Sequence, residues 1–184
     1  MNEVHYKIKK GDTMKQEEVE KLSQDKSKNI RIEIAENPST PADILENLSS
    51  DKDWFVKALV AQNKNTPTKT LEKLSNDEDD EVRKSVALNP NTPPEILEKL
   101  SNDEHWWVRE VVAKNKNTPS QILEKLSEDE EWSVRKEVTK NQNVSKEILK
   151  KLSQDENEYV RLSASNILLK TNIPKQKNSP SISL

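Results

Sequence analysis

The chain has 184 residues, a length that fits one domain, and it contains no cysteine. The lack of cysteine excludes disulfides, thiolate nucleophiles, and zinc or iron–sulfur sites held by cysteine. Residues 13–169 carry 24 of the 30 basic residues and 31 of the 33 acidic residues, so this part of the chain is acidic. Such a charge disfavours general binding to a nucleic-acid backbone, which requires Lys and Arg to neutralise phosphates.

Hydrophobic residues make up 31% of the chain and charged residues 34%, a balance that is common in disordered proteins. The apolar residues nevertheless recur at fixed positions, which indicates order. Residues 1–12 lack the apolar run of a signal peptide, and no window approaches the length of a membrane-spanning segment. We therefore expect a soluble, cytoplasmic protein without membrane attachment.

A motif of Val or Ile followed by a basic residue recurs every 26 residues. Its copies are Ile30-Arg31, Val56-Lys57, Val82-Arg83, Val108-Arg109, Val134-Arg135 and Val160-Arg161. A period of this length is typical of solenoids. We predict an all-α fold, a right-handed α-solenoid of about six helical pairs over residues 13–169. Residues 1–12 do not match the repeat and are expected to form an arm or cap, and the polar residues 170–184 a disordered tail.

The first helix of each unit, helix A, is predicted from a Thr-Pro start and a following apolar face. Thr92 is expected to be the N-cap and Glu95 to complete a capping box, while the apolar residues between 96 and 100 face the core. The fifth unit has Val144-Ser145 in place of Thr-Pro, which predicts a weaker cap.

The second helix, helix B, is bounded by two invariant columns. The first column contains only Asp, which we expect to act as the N-cap: Asp25, Asp51, Asp77, Asp103, Asp129 and Asp155. The second contains only Asn, which is expected to close the helix in left-handed geometry: Asn37, Asn63, Asn89, Asn115 and Asn141. In the last unit Ile167 replaces Asn, so helix B is predicted to continue to about Leu169.

The segments LSNDEHWWVREVVAKNKNTPSQIL and VRKSVALNPNTPPEILEKL resemble the leucine-rich repeat variant family. The shared elements are Val-Arg, Val-Ala-x-Asn and Thr-Pro-x-x-Ile-Leu-x-x-Leu, and the resemblance covers roughly residues 14–169. Leu100 to Arg109 is also similar to HEAT repeats. The resemblance implies an all-helical solenoid. Some family members carry a cysteine-bound iron–sulfur cluster, which a chain without cysteine cannot hold, so no cofactor is expected.

Six of the seven aromatic residues lie in the two columns just before the Val-Arg motif. We call them the aromatic row: Trp54, Phe55, Trp106, Trp107, Trp132 and Tyr159. Because the same columns also hold Asp80 and Glu158, these positions are expected to be at least partly exposed. Exposed Trp and Tyr are typical of binding hot spots, which predicts a partner-binding surface. The alternative is that the rings pack between repeats, and the sequence leaves both possibilities open.

The other candidate sites favour structural roles. The basic column from Arg31 to Arg161 could line an anion-binding groove, but pairing with the Asp column predicts a structural ladder. The run from Asp77 to Glu81 lacks the glycine and the spaced Glu of a calcium-binding loop, so no metal site is expected. His5 and His105 are far apart, and no catalytic constellation is visible, which predicts a non-enzyme.

The sequence thus favours a non-catalytic protein-interaction scaffold. Its binding surface would comprise the aromatic row and the groove beside helix B, and its partner would be a protein of unknown identity. The alternative is a nucleic-acid-binding protein that resembles HEAT-like DNA repair glycosylases, in which Trp rings and an acid such as Asp103 would hold a base. The acidic charge of the repeats makes that alternative less favoured.

Overall fold

The computed structural model describes residues 16–172, so the expected arm at 1–12 and the end of the expected tail lie outside the described residues. Within this range the chain forms twelve α-helices and no strand. The prediction of an all-α fold is confirmed. The helices are α1 (Gln16–Ser23), α2 (Lys28–Glu36), α3 (Ala42–Leu48), α4 (Trp54–Gln62), α5 (Thr68–Leu74), α6 (Asp80–Leu88), α7 (Pro94–Leu100), α8 (Trp106–Lys114), α9 (Ser120–Leu126), α10 (Trp132–Lys140), α11 (Lys146–Leu152) and α12 (Glu158–Asn172).

Short and long helices alternate, as expected for a solenoid of helical pairs. The odd-numbered helices from α3 to α11 are helix A of each unit, and the even-numbered helices are helix B. Each helix B packs against helix B of the next unit, from α2 to α12, and each helix A packs beside it. Val82, Val86 and Leu97 have no exposed surface. Each unit therefore buries its apolar face on its neighbours, which makes the core continuous along the array.

Helix A begins one residue later than the sequence predicted. The N-cap of α7 is Pro93, and Thr92 is buried with its hydroxyl donating to the carbonyl of Val86 at 2.5 Å. The equivalent Thr40, Thr66 and Thr118 make the same bond to the carbonyl six residues earlier. The prediction of a threonine N-cap is therefore wrong. The threonine instead satisfies a carbonyl near the end of the preceding helix B, which lacks a partner within its own helix.

The fifth unit also differs from the prediction. Ser145 is the N-cap of α11, and its hydroxyl accepts a hydrogen bond from the amide of Ile148 at 3.2 Å. The proline N-caps of α3, α5, α7 and α9 make no such side-chain bond. The expectation of a weaker cap at Val144-Ser145 was therefore wrong.

The closing asparagines are not left-handed. Asn115 has φ −65° and ψ 127°, which is extended backbone. Its amide nitrogen Nδ2 donates to the carbonyls of Ala87 and Asn89 in the preceding unit, at 2.7 and 3.1 Å. Asn63, Asn89 and Asn141 repeat this pattern, and we call the set the asparagine ladder. The column is invariant because the amide connects consecutive units.

The last helix B is longer than the others, as the replacement of Asn by Ile167 predicted. It contains 15 residues and reaches Asn172, slightly beyond the expected end near Leu169. Ile167 and Leu168 pack against the core. None of the helices between residues 16 and 172 is both long and apolar enough to cross a membrane.

Candidate partner-binding surface

The turn that leads into each helix B is fixed by the invariant aspartate. Asp103 lies two residues before the N-cap of α8, His105, and its Oδ1 accepts a hydrogen bond from the His105 amide at 3.0 Å. Side-chain capping is instead performed by Asp53 in α4 and Asp79 in α6. The prediction that the invariant Asp column provides the N-cap is therefore wrong.

The same aspartate pairs with the basic column, which confirms the predicted ladder. Arg83 donates from Nε to Asp103 Oδ2 at 2.6 Å and from Nη2 to Oδ1 at 3.0 Å. Its Nη1 donates to the carbonyls of Asp77 and Glu78, in the turn that leads into its own helix. We call these pairs the charge ladder: Arg31–Asp51, Lys57–Asp77, Arg83–Asp103, Arg109–Asp129 and Arg135–Asp155.

The charge ladder remains ionised at neutral pH. Burial alone would raise the pKa of Asp103, but the hydrogen bonds from Arg83 and the His105 amide outweigh it and hold the pKa below its ordinary value. The pKa values of Asp51 and Asp155 are lowered in the same way. The hydrogen bond from Asp103 raises the pKa of Arg83, in spite of burial. These arginines are therefore engaged in structure rather than free to bind anions.

Five members of the aromatic row are exposed at the N-terminal ends of the B helices. The exposed fraction is 46% for Trp54, 38% for Phe55 and for Trp106, 39% for Trp132 and 59% for Tyr159. The charge ladder fixes the turn just before each of these residues. The rings are thus held on a rigid scaffold but are not enclosed by it.

Trp107 differs from the rest of the aromatic row because it is half-buried against the core. Its Nε1 donates to Asp80 Oδ2 of the preceding unit at 2.7 Å, and its ring lies 4.6 Å from the ring of His105. Trp107 therefore packs between units, which is the alternative that the sequence left open. The pairing with Asp80 was not foreseen, although Asp80 and Trp107 lie in these same adjacent columns of consecutive units.

The aromatic row forms clusters. Trp54 and Phe55 make an edge-to-face contact with ring centroids 5.5 Å apart. Trp132 and Tyr159 lie 5.5 Å apart across two consecutive units, and Lys136 Nζ lies 5.7 Å from the first ring and 6.0 Å from the second. The unit between Trp54 and Trp106 instead places Asp80 and Glu81 at the start of α6.

The acidic run from Asp77 to Glu81 is distributed over structural roles. Asp77 pairs with Lys57, Asp79 caps α6, and Glu81 pairs with Lys84. In the part of the chain that the structure describes, no group of three or more His, Asp or Glu side chains is placed to hold a metal ion.

A second apolar feature, which the sequence did not indicate, lies at the other end of the B helices. A shallow groove of about 220 Å³ is lined by Leu88, Pro90, Val111 and Lys116, among others. Leu88 is 49% exposed and occupies the column that holds Lys114 and Lys140 in later units. That departure from lysine is the signal by which the groove could have been found.

Fold and surface together define a helical-repeat solenoid with an exposed aromatic edge. Residues 80–105 match the leucine rich repeat variant family model. A solved structure described as a leucine-rich repeat variant with a novel repetitive structural motif is 30% identical, with a TM-score of 0.67. The match covers 84% of this chain but only 62% of that structure's length. The resemblance to leucine-rich repeat variants is thereby confirmed.

Two crystal structures of engineered proteins also match. They are 18% and 19% identical to the chain, with TM-scores of 0.46 and 0.49. The matches cover 85% and 84% of this chain and 96% and 57% of those chains, but likeness at this level carries no functional argument. No curated protein matches the chain.

Proposed function

We propose that the protein is a non-catalytic scaffold that binds a protein partner through the aromatic row. The observation that carries the proposal is the exposure of five large aromatic side chains at the same end of successive B helices. Exposed apolar surface on a rigid scaffold is typical of interaction sites, and Trp and Tyr contribute more than most residues to binding free energy. Trp107 supports the surface from below by its bond to Asp80.

The alternative of a nucleic-acid-binding protein has less support. Asp103, the acid that would act on a base, is held by Arg83 and by the turn before α8. The helix starts that carry the rings also carry acids, for example Glu104 and Glu130, which repel phosphate.

The test is the double substitution Trp106→Ser with Trp132→Ser. Both columns tolerate acids in other units, so the backbone accepts polar residues there. We expect immobilised wild-type protein to retain partners from a host lysate that the double variant does not retain. The free energy of unfolding should change by about 1 kcal/mol or less, as is usual for substitutions of surface residues.

The matched control is Leu88→Ser with Leu169→Ser, which removes two exposed apolar side chains away from the aromatic row. It should leave partner capture intact. A loss of roughly 3–5 kcal/mol in the Trp double variant would instead assign these rings to packing. Salt-dependent binding of duplex or single-stranded DNA at micromolar concentrations would favour the nucleic-acid alternative.

A further inference from the structure

The turns that lead into the last four B helices are strongly acidic. We call residues 76–81, 102–107, 128–133 and 154–159 the acidic turns. They contain fourteen Asp and Glu residues and no Lys or Arg. Four of these acids are ladder aspartates, which are neutralised by the charge ladder. The remaining carboxylates lie in the same short segments as Trp106, Trp132 and Tyr159.

One glutamate in each of three consecutive units is directed to solvent beside an aromatic ring. The side chains of Glu104, Glu130 and Glu156 are 79%, 84% and 87% exposed. Each has one oxygen within 3.3–3.7 Å of a ladder arginine but keeps most of its surface free. Glu104 and Glu130 precede Trp106 and Trp132 by two residues. The same end of the array thus presents alternating carboxylates and rings.

We propose that the acidic turns and the aromatic row together bind an arginine- or lysine-rich segment of a protein partner. This inference rests on the proposed function and adds the chemistry of the partner. A cation is attracted both by the carboxylates and by the faces of the aromatic rings. Lys136, with its ammonium 5.7 Å from Trp132 and 6.0 Å from Tyr159, demonstrates that these rings accommodate a cation. Arginine suits such a site well, because its planar guanidinium stacks on rings and forks onto carboxylates.

The repeat geometry also sets the spacing of the cations. Packed helices lie about 8–10 Å apart, so consecutive B helices present their glutamates and rings at roughly that interval. An extended chain advances about 3.3 Å per residue. A segment running across α8, α10 and α12 therefore meets one unit at about every third residue. The favoured occupant is an extended segment with arginine at every third position.

The experiment uses the full chain and a labelled Gly/Ser peptide that carries arginine at every third position. We expect saturable binding in fluorescence anisotropy, and the affinity should fall as salt is added, because salt screens the exposed charges. The triple variant Glu104→Gln, Glu130→Gln and Glu156→Gln should raise the Kd roughly tenfold, from three exposed ion pairs of ordinary strength. Trp106→Ser with Trp132→Ser should also raise it.

The matched control is Glu72→Gln, Glu98→Gln and Glu124→Gln, which removes the same charge from exposed positions on three consecutive A helices. It should leave the Kd unchanged. Equal weakening by both triple variants would overturn the inference, and so would equal binding of a peptide with glutamine in place of arginine. A dimer that the first triple variant abolishes would identify a second copy as the occupant and would also overturn it. If the Trp double variant loses partner capture but the first triple variant does not, the scaffold proposal stands and the cationic partner is excluded.

Discussion

The invariant polar residues act between units rather than within them. Asp103 accepts from an arginine 20 residues earlier, and Asn115 donates to carbonyls 26 and 28 residues earlier. Local motif rules assigned both residues to helix capping, because those rules consider only partners within a few residues. The role of the basic column was predictable, since a guanidinium and a carboxylate that recur in every unit are natural partners. The turn geometry that separates them by 20 residues was not.

Lys57 is the one lysine in the charge ladder within the described residues, and it offers a test of what arginine contributes. Its ammonium contacts both oxygens of Asp77, at 2.6 and 2.8 Å. The arginines add bonds from Nη1 to two carbonyls of the preceding turn, as Arg83 does. We expect Lys57→Arg to raise the free energy of unfolding by about 0.5–1.5 kcal/mol, as measured by urea denaturation.

The reverse change, Arg83→Lys, is the control for that measurement and should lower stability by a similar amount. A Lys57→Arg variant no more stable than the wild type would show that the carbonyl bonds contribute nothing net.

The lowered pKa values of Asp51, Asp103 and Asp155 predict a dependence of stability on pH. These carboxyls bind protons less readily in the folded chain than in the unfolded chain, where the ordinary value is about 3.9. Their contribution is therefore complete above that value and is lost as the pH falls through the folded pKa. Urea denaturation should give a lower free energy of unfolding at about pH 3 than at pH 7.

Asp103→Asn is the control for the acid effect, since it removes one titrating rung. Its stability should fall less between neutral and acidic pH than that of the wild type. An unchanged slope would mean that Asp103 does not titrate differently in the two states.

At the scale of the helices, the apolar spacing predicted the elements well. The faces formed by Leu97 and Leu100 in α7 and by Val108 and Val112 in α8 are buried as expected. The helix starts were predicted less well. In α7, Thr92 has the residue type of an N-cap, but its hydroxyl bonds backward to Val86, because the turn between helices brings that carbonyl close.

The asparagine ladder predicts an unusual response to glycine. If Asn115 were left-handed, Asn115→Gly would be tolerated, because glycine favours that geometry. Since its φ is −65°, glycine gains nothing there and leaves the buried carbonyls of Ala87 and Asn89 without their donor. Both Asn115→Gly and Asn115→Ala should lower the free energy of unfolding by about 1–3 kcal/mol.

Thermal or urea unfolding of the two variants gives the comparison, and Asn117→Ala serves as the control. Asn117 donates to a single, exposed partner, the carbonyl of Pro90, so its loss should cost less. A glycine variant as stable as the wild type would contradict the assignment.

For the whole molecule, the repeat period alone predicted the solenoid, and the tolerance of its columns predicted most of the exposed surface. Positions that hold Asp80 or Glu158 in other units were expected to be accessible, and five of the six rings are exposed. Trp107 could not be separated from the others, because its burial depends on Asp80 of the neighbouring unit. The exposed Leu88 was missed because attention to aromatic residues passed over a single substitution in a lysine column.

The constant register makes the array shortenable by one whole period. Deletion of residues 83–108 joins Val82 to Arg109 and removes 26 residues, so that Arg109 still faces Asp129 and its Nη1 meets the carbonyls of Asp77 and Glu78. We expect this variant to be helical by circular dichroism and to unfold cooperatively. Its melting temperature should be lower than that of the wild type, because one interface between units is lost.

Deletion of residues 83–107 is the matched control, because it retains one additional residue, Val108, within the joined helix B. One residue rotates the following helical positions by about 100°, which turns Val112 away from the core and Arg109 away from Asp129. This variant should melt well below the first, although the two chains differ by a single valine. Equal stability of the two deletions would show that the units do not depend on register, and that the charge and asparagine ladders do not fix how consecutive units pack.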